Sequence, residues 1–578
     1  MESSMEFPLA ATLIITVAAT LAYLGYQLAL PKPIPGIPYD ESAAKHVFGS
    51  LPGMISHIKE HGVVMPWLTQ HNSKHQAPLV QFFGGPFAKP TLVLCDFQES
   101  QDVLFRRTKE FDRAGRTLEA MAGVIPNHHI AMRSDDARFK GNKELVRDLM
   151  SPSFLHEVSA VHIYSKSLAL IDLWSVKAKA TGGRPFEARQ DIFDAAMDMV
   201  NAAAFAFEDG LSITKRNLNY IVSAEKPPTI VNANHDALDF SRPPLVSEVA
   251  VLQAVAKFLG EQTISPAPKY IRWYKMLTDA KLRRNLVSKD DIIKSRIQKS
   301  LKRLEAGDKT QFSATDYLIQ REHSVARKEN RSPDFYSRRN IDELFGYIIG
   351  GHETTSAAIS WTIKLLSDHP QVQEELRKSL KTSFAAAISE SRLPTAKEIA
   401  KSQIPYLDAV IEESLRVGRP TPMVARESMV DTVLLGHHIP KGVTLLLSNA
   451  GPGFISKPLQ ISDSARSESS KMKQRVCEWD LEGMDLFKPE RWLKEEDGVQ
   501  TFDSQAGPFL AFSLGHRGCF GHRGCFGRRL AYLEMRLVLT LLLWNFRFGK
   551  LEGKLASYDT EEGVTAMPKF CYVGLQAV

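Results

Sequence analysis

A helical spacing of apolar residues, running from about Glu99 to Leu380 of the 578-residue chain, limits the possible folds more than any other feature of the sequence. In this part, apolar side chains recur three and four positions apart, as in Asp191–Phe207 and Ile341–Asp368. That period places them on one face of a helix, whereas a strand would need strict alternation. We therefore expect a domain built mainly from α-helices.

Short strands are predicted on both sides of the helical part. Leu79–Phe83 and Thr91–Cys95 are apolar runs joined by a segment that contains a Gly-Gly-Pro turn. In the last third of the chain, short apolar runs broken by Gly and Pro include Thr432–Gly436 and Gly442–Leu447. The predicted fold class is thus mainly α with small β-sheets.

Two polar stretches interrupt these patterns. Lys281–Asn340 and Ser456–Arg475 are both rich in Ser, Lys and Arg. Such composition is typical of solvated surface inserts or mobile loops, and we expect both stretches to be of that kind.

The N-terminus carries an uncharged segment of 24 residues, Phe7–Leu30. As a helix it would be about 36 Å long, enough for a bilayer core of about 30 Å. A cleavable signal peptide would begin with positive charge and have a shorter apolar run, but here Glu2 and Glu6 precede the segment. We expect a retained transmembrane helix, and Lys32 after it favours a cytosolic position for the rest of the chain.

Residues 31–40 form a Pro-rich segment in which several residues have fixed φ and lack an N–H group, so the helix cannot continue. We therefore predict a membrane anchor over residues 1–30, a stiff linker over 31–40 and one large domain over 41–578.

Charge and cysteine content exclude some classes of protein. The net charge is +6, and the charges are spread along the chain instead of being collected in a basic arm, so we expect no nucleic acid partner. The five cysteines are an odd number in a long chain without a short disulfide-rich module, which favours a reducing compartment.

One cysteine motif carries the most chemical information. In Phe512-Ser-Leu-Gly-His-Arg517-Gly-Cys519-Phe-Gly, the cysteine stands between two glycines and two residues after an arginine. The glycines permit a tight turn close to a flat cofactor, and the arginine can neutralise a carboxylate. The apolar helix predicted at Leu530–Trp544 would place the positive end of its dipole near a thiolate.

This motif resembles the haem-binding signature of the cytochromes P450, Phe-x-x-Gly-x-Arg-x-Cys-x-Gly. The resemblance implies the cytochrome P450 fold, a haem held by a cysteine thiolate and a place for Phe512 beside it. Gly350-Gly-His-Glu353-Thr354-Thr is similar to the oxygen-activation motif of the same family. By that resemblance Glu353 and Thr354 are the catalytic acid and alcohol that supply protons during oxygen activation. Two glycines cost helix stability, so we expect them to let the helix widen locally.

Further landmarks of the family occur in the same order. Glu413 and Arg416 match its Glu-x-x-Arg motif, and Arg491 lies where an arginine completes a triad with that pair. Phe139 and Lys143 occupy the place of an aromatic-x-x-x-basic element that reaches a haem propionate. Arg426 stands where the family often has a second propionate-binding residue.

The hexapeptide His-Arg-Gly-Cys-Phe-Gly occurs twice in succession, which creates two candidate iron ligands. Cys519 has the correct sequence before it, with Arg517 as its arginine, whereas Cys525 has the correct sequence after it and is served by Arg523. Six extra residues inside the following helix would rotate its apolar face by about 240° net, whereas a loop twice as long costs only about 0.6 kcal/mol. We favour Cys525 as the axial ligand and keep Cys519 as the alternative.

Two other functions remain open. The duplication also creates four possible zinc ligands in one short segment, His516, Cys519, His522 and Cys525, so a structural zinc protein is one alternative. The other is a haem-binding but catalytically impaired homologue in which the duplication has spoiled the site.

The resemblance implies a haem-thiolate monooxygenase that uses O2 and receives electrons from NADPH through NADPH–cytochrome P450 reductase. By family position, substrate specificity would lie in Thr117–Ala131 and at Phe345, among other positions. These residues are largely apolar, so we expect a lipophilic small molecule. The charged inserts and the variant Phe139-x-x-x-Lys143 element resemble those of fungal secondary-metabolism or xenobiotic enzymes, and of these two we expect secondary metabolism. We expect a single-pass anchor in the endoplasmic reticulum membrane, with the catalytic domain in the cytosol.

Overall fold

A computed structural model describes residues 6–223, 229–232, 237–308, 310, 312–472, 479, 481–514 and 525–578. The helices are α1 Glu6–Ala29, α2 Glu41–Ala44, α3 Leu51–His61, α4 Met65–His75, α5 Phe97–Phe105, α6 Gly115–Ala122, α7 Ala137–Val146, α8 Ala160–Thr181, α9 Arg189–Phe205, α10 Ile213–Ser223, α11 Ser247–Ile264, α12 Pro268–Thr278, α13 Ala280–Glu305, α14 Ala314–Lys328, α15 Arg338–Asp368, α16 Pro370–Ser383, α17 Ala385–Ser389, α18 Ala396–Lys401, α19 Pro405–Gly418, α20 Glu468–Lys471 and α21 Arg528–Asn545. A π-helical turn, Phe154–Ser159, leads into α8.

The strands are short, as predicted. They are β1 Leu79–Phe82, β2 Thr91–Leu94, β3 Phe111–Arg113, β4 Phe186–Glu187, β5 Thr229–Asn232, β6 Ala237–Asp239, β7 Met423–Ser428, β8 Thr432–Leu434, β9 His437–Ile439, β10 Thr444–Ser448, β11 Leu493–Glu496, β12 Val499–Phe502, β13 Phe546–Phe548, β14 Thr560–Glu562, β15 Ala566–Pro568, β16 Tyr572–Val573 and β17 Leu575–Ala577. The mainly helical fold class with small sheets is therefore confirmed.

The chain divides into two compact units, of which the first comprises Met1–Asp112 and Met423–Gln474. Its sheet has the order β1-β2-β10-β7-β3. Strand β2 runs antiparallel to β1 and parallel to β10. Trp67, Phe82 and Val93 belong to a small apolar core between α4 and this sheet.

The described part of the second polar stretch, residues 456–472, lies in the first unit and is mostly irregular. It is held in place, however, because the Arg466 guanidinium contacts Asp96 at 2.9 Å and Ser470 donates to Glu99 at 2.5 Å. Of the two expectations for this stretch, a surface insert and a mobile loop, these contacts favour the first.

The second unit comprises Arg113–Pro422 and Arg475–Val578 and contains most of the helices. The long helix α15 packs against α9, α19 and α21. It begins where Ser337 accepts a hydrogen bond from the Asn340 amide, and it ends before Pro370, which cannot continue a helix. Helix α15 is thus central to the apolar core of this unit.

The prediction for the first polar stretch is wrong over most of its length. Residues 280–305 and 314–328 form α13 and α14, not a loop or a solvated insert. Ile293 and Ile297 are fully buried, and the side chains of Lys289 and Arg296 are buried with them. These positions recur three and four apart, so a buried stripe was present, but two of its positions carry charged residues and so do not count as apolar in the sequence pattern.

One described helix, Ala11–Ala29 within α1, is long and apolar enough to cross a membrane, with a mean hydropathy of 1.5. None of that segment is buried against the protein.

Candidate active site

The middle of α15 presents an open face in a helix that is otherwise mostly buried. Gly350 is exposed, and no described atom lies within 4 Å of the place where its Cβ would be. Thr354, one turn later, is half-buried on the same side. Its hydroxyl donates to the Gly350 carbonyl oxygen at 2.8 Å, so the oxygen of the hydroxyl keeps its acceptor capacity.

The expected local widening at the glycines is wrong, because α15 is regular α-helix throughout Arg338–Asp368. A different physical reason accounts for Gly351. A Cβ there would lie 2.5 Å from Val200 Cγ2, so the absence of a side chain permits the close approach of α15 to α9.

Glu353 lies at the edge of the open face and is half-buried. Thr565 donates a hydrogen bond to its carboxylate at 3.3 Å. Burial raises the pKa of Glu353 above its ordinary value, so this group holds a proton closer to neutral pH than an exposed glutamate does.

Behind the open face, α15 is joined to α21 by a buried hydrogen bond. Thr355 donates to Glu534 at 2.7 Å, and the other carboxylate oxygen of Glu534 has no hydrogen-bond partner among the described residues. Burial raises the pKa of Glu534 to about 8, so this side chain is largely protonated at neutral pH.

Cys525 lies just before α21, and its thiol is exposed. Its backbone N–H donates to the Phe512 carbonyl oxygen at 2.9 Å, which fixes the end of the loop. Gly527 caps α21, and the helix begins at Arg528. A thiolate at Cys525 would therefore lie near the positive end of the helix dipole.

Several predicted residues lie outside the described residues. These are Cys519, Arg517 and Arg523, together with the histidines of the zinc alternative, His516 and His522. Both copies of the hexapeptide precede Arg528, the first residue of α21.

Glu413, Arg416 and Arg491 are brought together, as the triad prediction requires. The Arg416 guanidinium makes two 2.8 Å hydrogen bonds to the Glu413 carboxylate, and both side chains are buried. Arg491 Nε lies 3.9 Å from the same carboxylate. Trp492 Nε1 also donates to it at 2.9 Å. This network ties α19 to the segment before β11.

Sequence reasoning missed Trp479, which belongs to the same network. Its ring centroid lies 5.3 Å from the Arg416 guanidinium and 5.4 Å from that of Arg491, so the two cations share one aromatic side chain. A Cβ at Gly507 would lie 2.0 Å from the Trp479 ring, which explains the glycine there. The only signal in the sequence was a single Trp in an acidic segment.

Phe139 lies in α7, is fully buried and is flanked by two cations. Lys143 Nζ lies 5.7 Å from its ring centroid, in agreement with the i, i+4 spacing. The Arg113 guanidinium, which the sequence did not reveal, lies 5.1 Å from the same ring. Phe139, Lys143 and Arg113 together offer two positive charges beside one aromatic side chain.

A second group that sequence reasoning missed is His128, His129 and Glu343, all buried. Glu343 of α15 accepts hydrogen bonds from the His129 backbone N–H and from His129 Nδ1, each at 2.8 Å. His128 Nδ1 accepts from the Ile130 amide, so its Nε2 carries the proton and faces Glu343 at 3.3 Å. The predicted specificity segment Thr117–Ala131 is thereby fixed to α15.

The His129 ring connects this group to the cysteine loop. It makes an edge-to-face contact with Phe526, the residue after Cys525, at a centroid distance of 5.8 Å. Phe345, also predicted to determine specificity, is by contrast fully buried, with Lys289 Nζ 4.9 Å from its ring centroid.

Arg426 lies in β7 of the first unit, and its guanidinium donates to the Ala425 carbonyl oxygen at 2.9 Å. Its role toward a propionate stays a prediction.

The described residues fit a haem. The exposed Cys525, near the N-terminus of α21, provides the thiol that a haem-thiolate iron requires. The exposed face of α15 at Gly350 leaves space beside the helix that a larger side chain would fill. Arg113 and Lys143 are suited to the two carboxylates of such a group.

Comparison with known proteins gives an independent result. The family model for "Cytochrome P450" matches residues 50–451 and 485–573. The unmatched residues 452–484 include the whole of the second polar stretch.

Relatives of nearly the same length are also similar. The cytochrome P450 monooxygenase TRI13 of Fusarium sporotrichioides is 36% identical over 96% of this chain and 97% of its own length. The cytochrome P450 monooxygenase xilC of Penicillium rubens is 34% identical over 97% and 96%, respectively. The cytochrome P450 monooxygenase GME11363 of Pestalotiopsis microspora is 30% identical over 99% of this chain and its full length.

A family match over most of the chain and relatives at these identities agree with the geometry around α15 and α21. The chain belongs to the cytochrome P450 family, whose haem is held by a cysteine thiolate, and it is a monooxygenase.

Proposed function

We propose that this enzyme inserts one oxygen atom from O2 into a lipophilic small molecule of fungal secondary metabolism. The observation that supports it best is the open face of α15, where the Thr354 hydroxyl faces the space left by Gly350. A catalytically impaired homologue would still need space for the haem, but it would not need the half-buried Glu353 beside that space.

We propose that the Cys525 thiolate would hold the haem iron. The exposed thiol of Cys525, the fixed backbone at Phe512 and the start of α21 at Arg528 all support this choice. There are two alternatives, and both depend on residues of the duplicated segment. One is Cys519 as the iron ligand, and the other is a zinc site at His516, Cys519, His522 and Cys525. Arg523, Phe512, Phe139, Lys143 and Arg426 complete the proposed cofactor site, with Arg113 added from the structure. Glu413, Arg416 and Arg491 hold the segment before the loop.

When bound, the haem supplies oxygen activation, which the electron-rich thiolate favours. The protein residues then control protons and water. Burial raises the pKa of the Glu353 carboxyl group, so this group releases its proton at a higher pH than an exposed glutamate does. Thr354 Oγ1 donates to Gly350 and can accept a hydrogen bond from a water or from the reacting group, which positions a proton donor on the open face.

The substrate class rests on two supports. The predicted specificity residues are largely apolar, and the fixed segment Thr117–Ala131 offers few charged groups for a polar ligand. One further relative, 38% identical over 46% of this chain, is described as an "Hps1-dma1 cluster cytochrome P450 monooxygenase" of Dothistroma septosporum. A place in a biosynthetic gene cluster suits secondary metabolism.

The remaining proposals concern partners and location. Electrons would come from NADPH through NADPH–cytochrome P450 reductase. Helix α1 supports a single-pass anchor over residues 1–30 in the endoplasmic reticulum membrane, because a 19-residue apolar helix lies entirely exposed. The linker would be residues 31–40, and the cytosolic catalytic domain residues 41–578.

The proposal is tested with the purified full-length enzyme, the reductase and NADPH under ¹⁸O2. Candidate lipophilic compounds are first selected by the change they cause in the haem absorbance. We expect a product that gains a single ¹⁸O atom and that requires both NADPH and the reductase. Normal haem incorporation together with no labelled product from any compound that binds would instead identify a catalytically impaired homologue.

A further inference from the structure

A second cluster of metal-ligating side chains lies in the first unit, where the Pro-rich linker ends. His71 and His75 are four residues apart on α4, so both face the same side of the helix. Asp40 comes from the last position of the linker. His71 Nδ1 lies 3.2 Å from the Asp40 carboxylate and His75 Nε2 lies 3.7 Å from it.

Hydrogen bonds account for only part of this arrangement. The distance from His75 Nε2 to Asp40 is too long for a hydrogen bond, and this buried nitrogen has no other hydrogen-bond partner among the described residues. The cluster of His128, His129 and Glu343 differs, because there every contact to the carboxylate has hydrogen-bond geometry or distance. Two histidines and one carboxylate thus form a closed hydrogen-bonded group in the second unit and an incompletely paired group in the first.

The separations are those of ligands around one ion. Two ligand atoms about 2.0–2.1 Å from a tetrahedral zinc ion lie about 3.3–3.4 Å apart. The observed 3.2 and 3.7 Å lie on either side of that value, and all three ligand atoms lie within 4.8 Å of one another. Little rearrangement would be needed to place a metal between them.

The site is also held in position. The His71 ring is 8% exposed and makes edge-to-face contacts with Trp67 and Phe82, at centroid distances of 4.9 and 5.0 Å. These apolar neighbours leave the ring little freedom to rotate. Two neutral imidazoles and one carboxylate form a donor set that suits zinc and related transition metals.

Lys74 competes for the same carboxylate. Its ammonium group lies 2.5 Å from Asp40, but its side chain is 59% exposed and can turn out to solvent. A cation at that distance would weaken metal binding through charge repulsion.

We propose that Asp40, His71 and His75 bind a divalent transition metal, zinc in particular, with the fourth position open to water. The metal would join the end of the linker to α4 within the first unit. This proposal does not depend on the haem or on the activity of the enzyme.

The test uses the full-length holoprotein in detergent, freed of metals with a chelator and titrated with Co²⁺, which reports its ligands in the visible spectrum. We expect one site with the visible bands of nitrogen and oxygen ligands, from which Zn²⁺ displaces Co²⁺. In His75→Gln, affinity should fall at least about 100-fold, since loss of outer-shell partners alone costs about 10- to 100-fold. In Lys74→Gln, affinity should rise about tenfold.

His57→Gln is the matched control, because His57 and His61 form another histidine pair four residues apart, on α3, outside the proposed site. Its affinity should equal that of the wild type. Equal affinity in His75→Gln and the wild type would overturn the proposal, and so would a spectrum with only a thiolate-to-cobalt band, which would place the metal at a cysteine. An unchanged haem spectrum in every variant shows that the protein has folded.

Discussion

Thr354 is the residue on which the proposed proton supply depends. Replacing it with valine keeps the shape of the side chain but removes the hydroxyl that now bonds to Gly350. Positioned proton transfer contributes about 10²- to 10⁴-fold to a rate. We therefore expect Thr354→Val to lower product formation per NADPH consumed by about 100-fold while haem binding stays normal. The measurement is the ratio of product to NADPH oxidised.

Thr354→Ser is the conservative control, since it retains the hydroxyl and should keep most of this ratio. If Thr354→Val and the wild type gave the same ratio of product to NADPH oxidised, Thr354 would have no part in proton supply. The open face of α15 would then need another explanation.

Glu343 is a positioning residue that the sequence did not reveal. Glu343→Ala removes the acceptor of two His129 N–H groups and one of His128, all buried. Each unpaired buried donor costs about 1–3 kcal/mol. We expect Glu343→Ala to lower the free energy of unfolding by about 3 kcal/mol or more, measured by denaturant titration.

Glu343→Gln should lose less than half as much, because an amide oxygen can still accept. The Soret band should also shift or weaken more in the alanine variant, since His129 contacts Phe526 beside the proposed ligand. Equal stability of Glu343→Ala and Glu343→Gln would show that the hydrogen bonds to Glu343 do not hold the segment Thr117–Ala131 in place.

At the scale of the element, the two neighbouring glycines of α15 have opposite roles. Gly351→Ala would place a Cβ 2.5 Å from Val200 and force α15 away from α9. Overpacking of this kind costs about 1–3 kcal/mol. Gly350→Ala meets no described atom and should instead stabilise the helix by up to about 1 kcal/mol. Thermal unfolding of both variants measures the difference.

Adding Val200→Ala to Gly351→Ala should restore part of the lost stability, because it removes the clashing methyl groups. Two glycine variants of equal stability, or a double variant less stable than Gly351→Ala, would contradict the packing argument.

The elements also show how far the sequence could predict the fold. Periodicity was enough for α15, α21 and the strands around β1 and β10, because their apolar positions repeat regularly. Periodicity failed for α13, because two positions of its buried stripe carry long charged residues, Lys289 and Arg296. Such residues count as polar in the sequence pattern even where they are buried. The role of Gly351 was also hidden, because the residue it contacts is on a helix far away in the sequence.

At the scale of the whole molecule, buried carboxyl groups make stability depend on pH. Glu534 has a pKa of about 8 in the folded protein and about 4.5 in its unperturbed form. Between these values the folded protein keeps a proton that the unfolded chain releases. The contribution of Glu534 to the free energy of unfolding is therefore complete below pH 4.5 and is lost as the pH rises to 8, by up to about 1.4 kcal/mol per pH unit.

Glu534→Gln should remove this part of the pH dependence and leave the protein more stable than the wild type at pH 8. Unfolding temperatures measured across that range give the slope. An unchanged slope would show that Glu534 is ionised in the folded protein. Glu412 and Glu187, whose pKa values burial raises to about 7, should maintain a slope below pH 7 in both proteins, so the difference between the two proteins is clearest between pH 7 and 8.

The candidate site was predictable where a residue belongs to a contiguous motif. Glu413 and Arg416 are three residues apart on one helix, and their hydrogen bonds follow from that spacing. Arg113, Trp479 and Glu343 join the site through contacts between distant segments, and no short spacing marks such contacts. The duplicated motif was ambiguous for a different reason, because the sequence contains two equivalent cysteines. Cys525 is favoured over Cys519 only because it lies just before α21.

The central claim is a haem held by the thiolate of Cys525, and the carbon monoxide difference spectrum of the reduced protein tests it most directly. We expect the wild type and Cys519→Ser to show the Soret band of a thiolate-ligated haem, and Cys525→Ser to lose it. A thiolate band that persists in Cys525→Ser and disappears in Cys519→Ser would contradict the account.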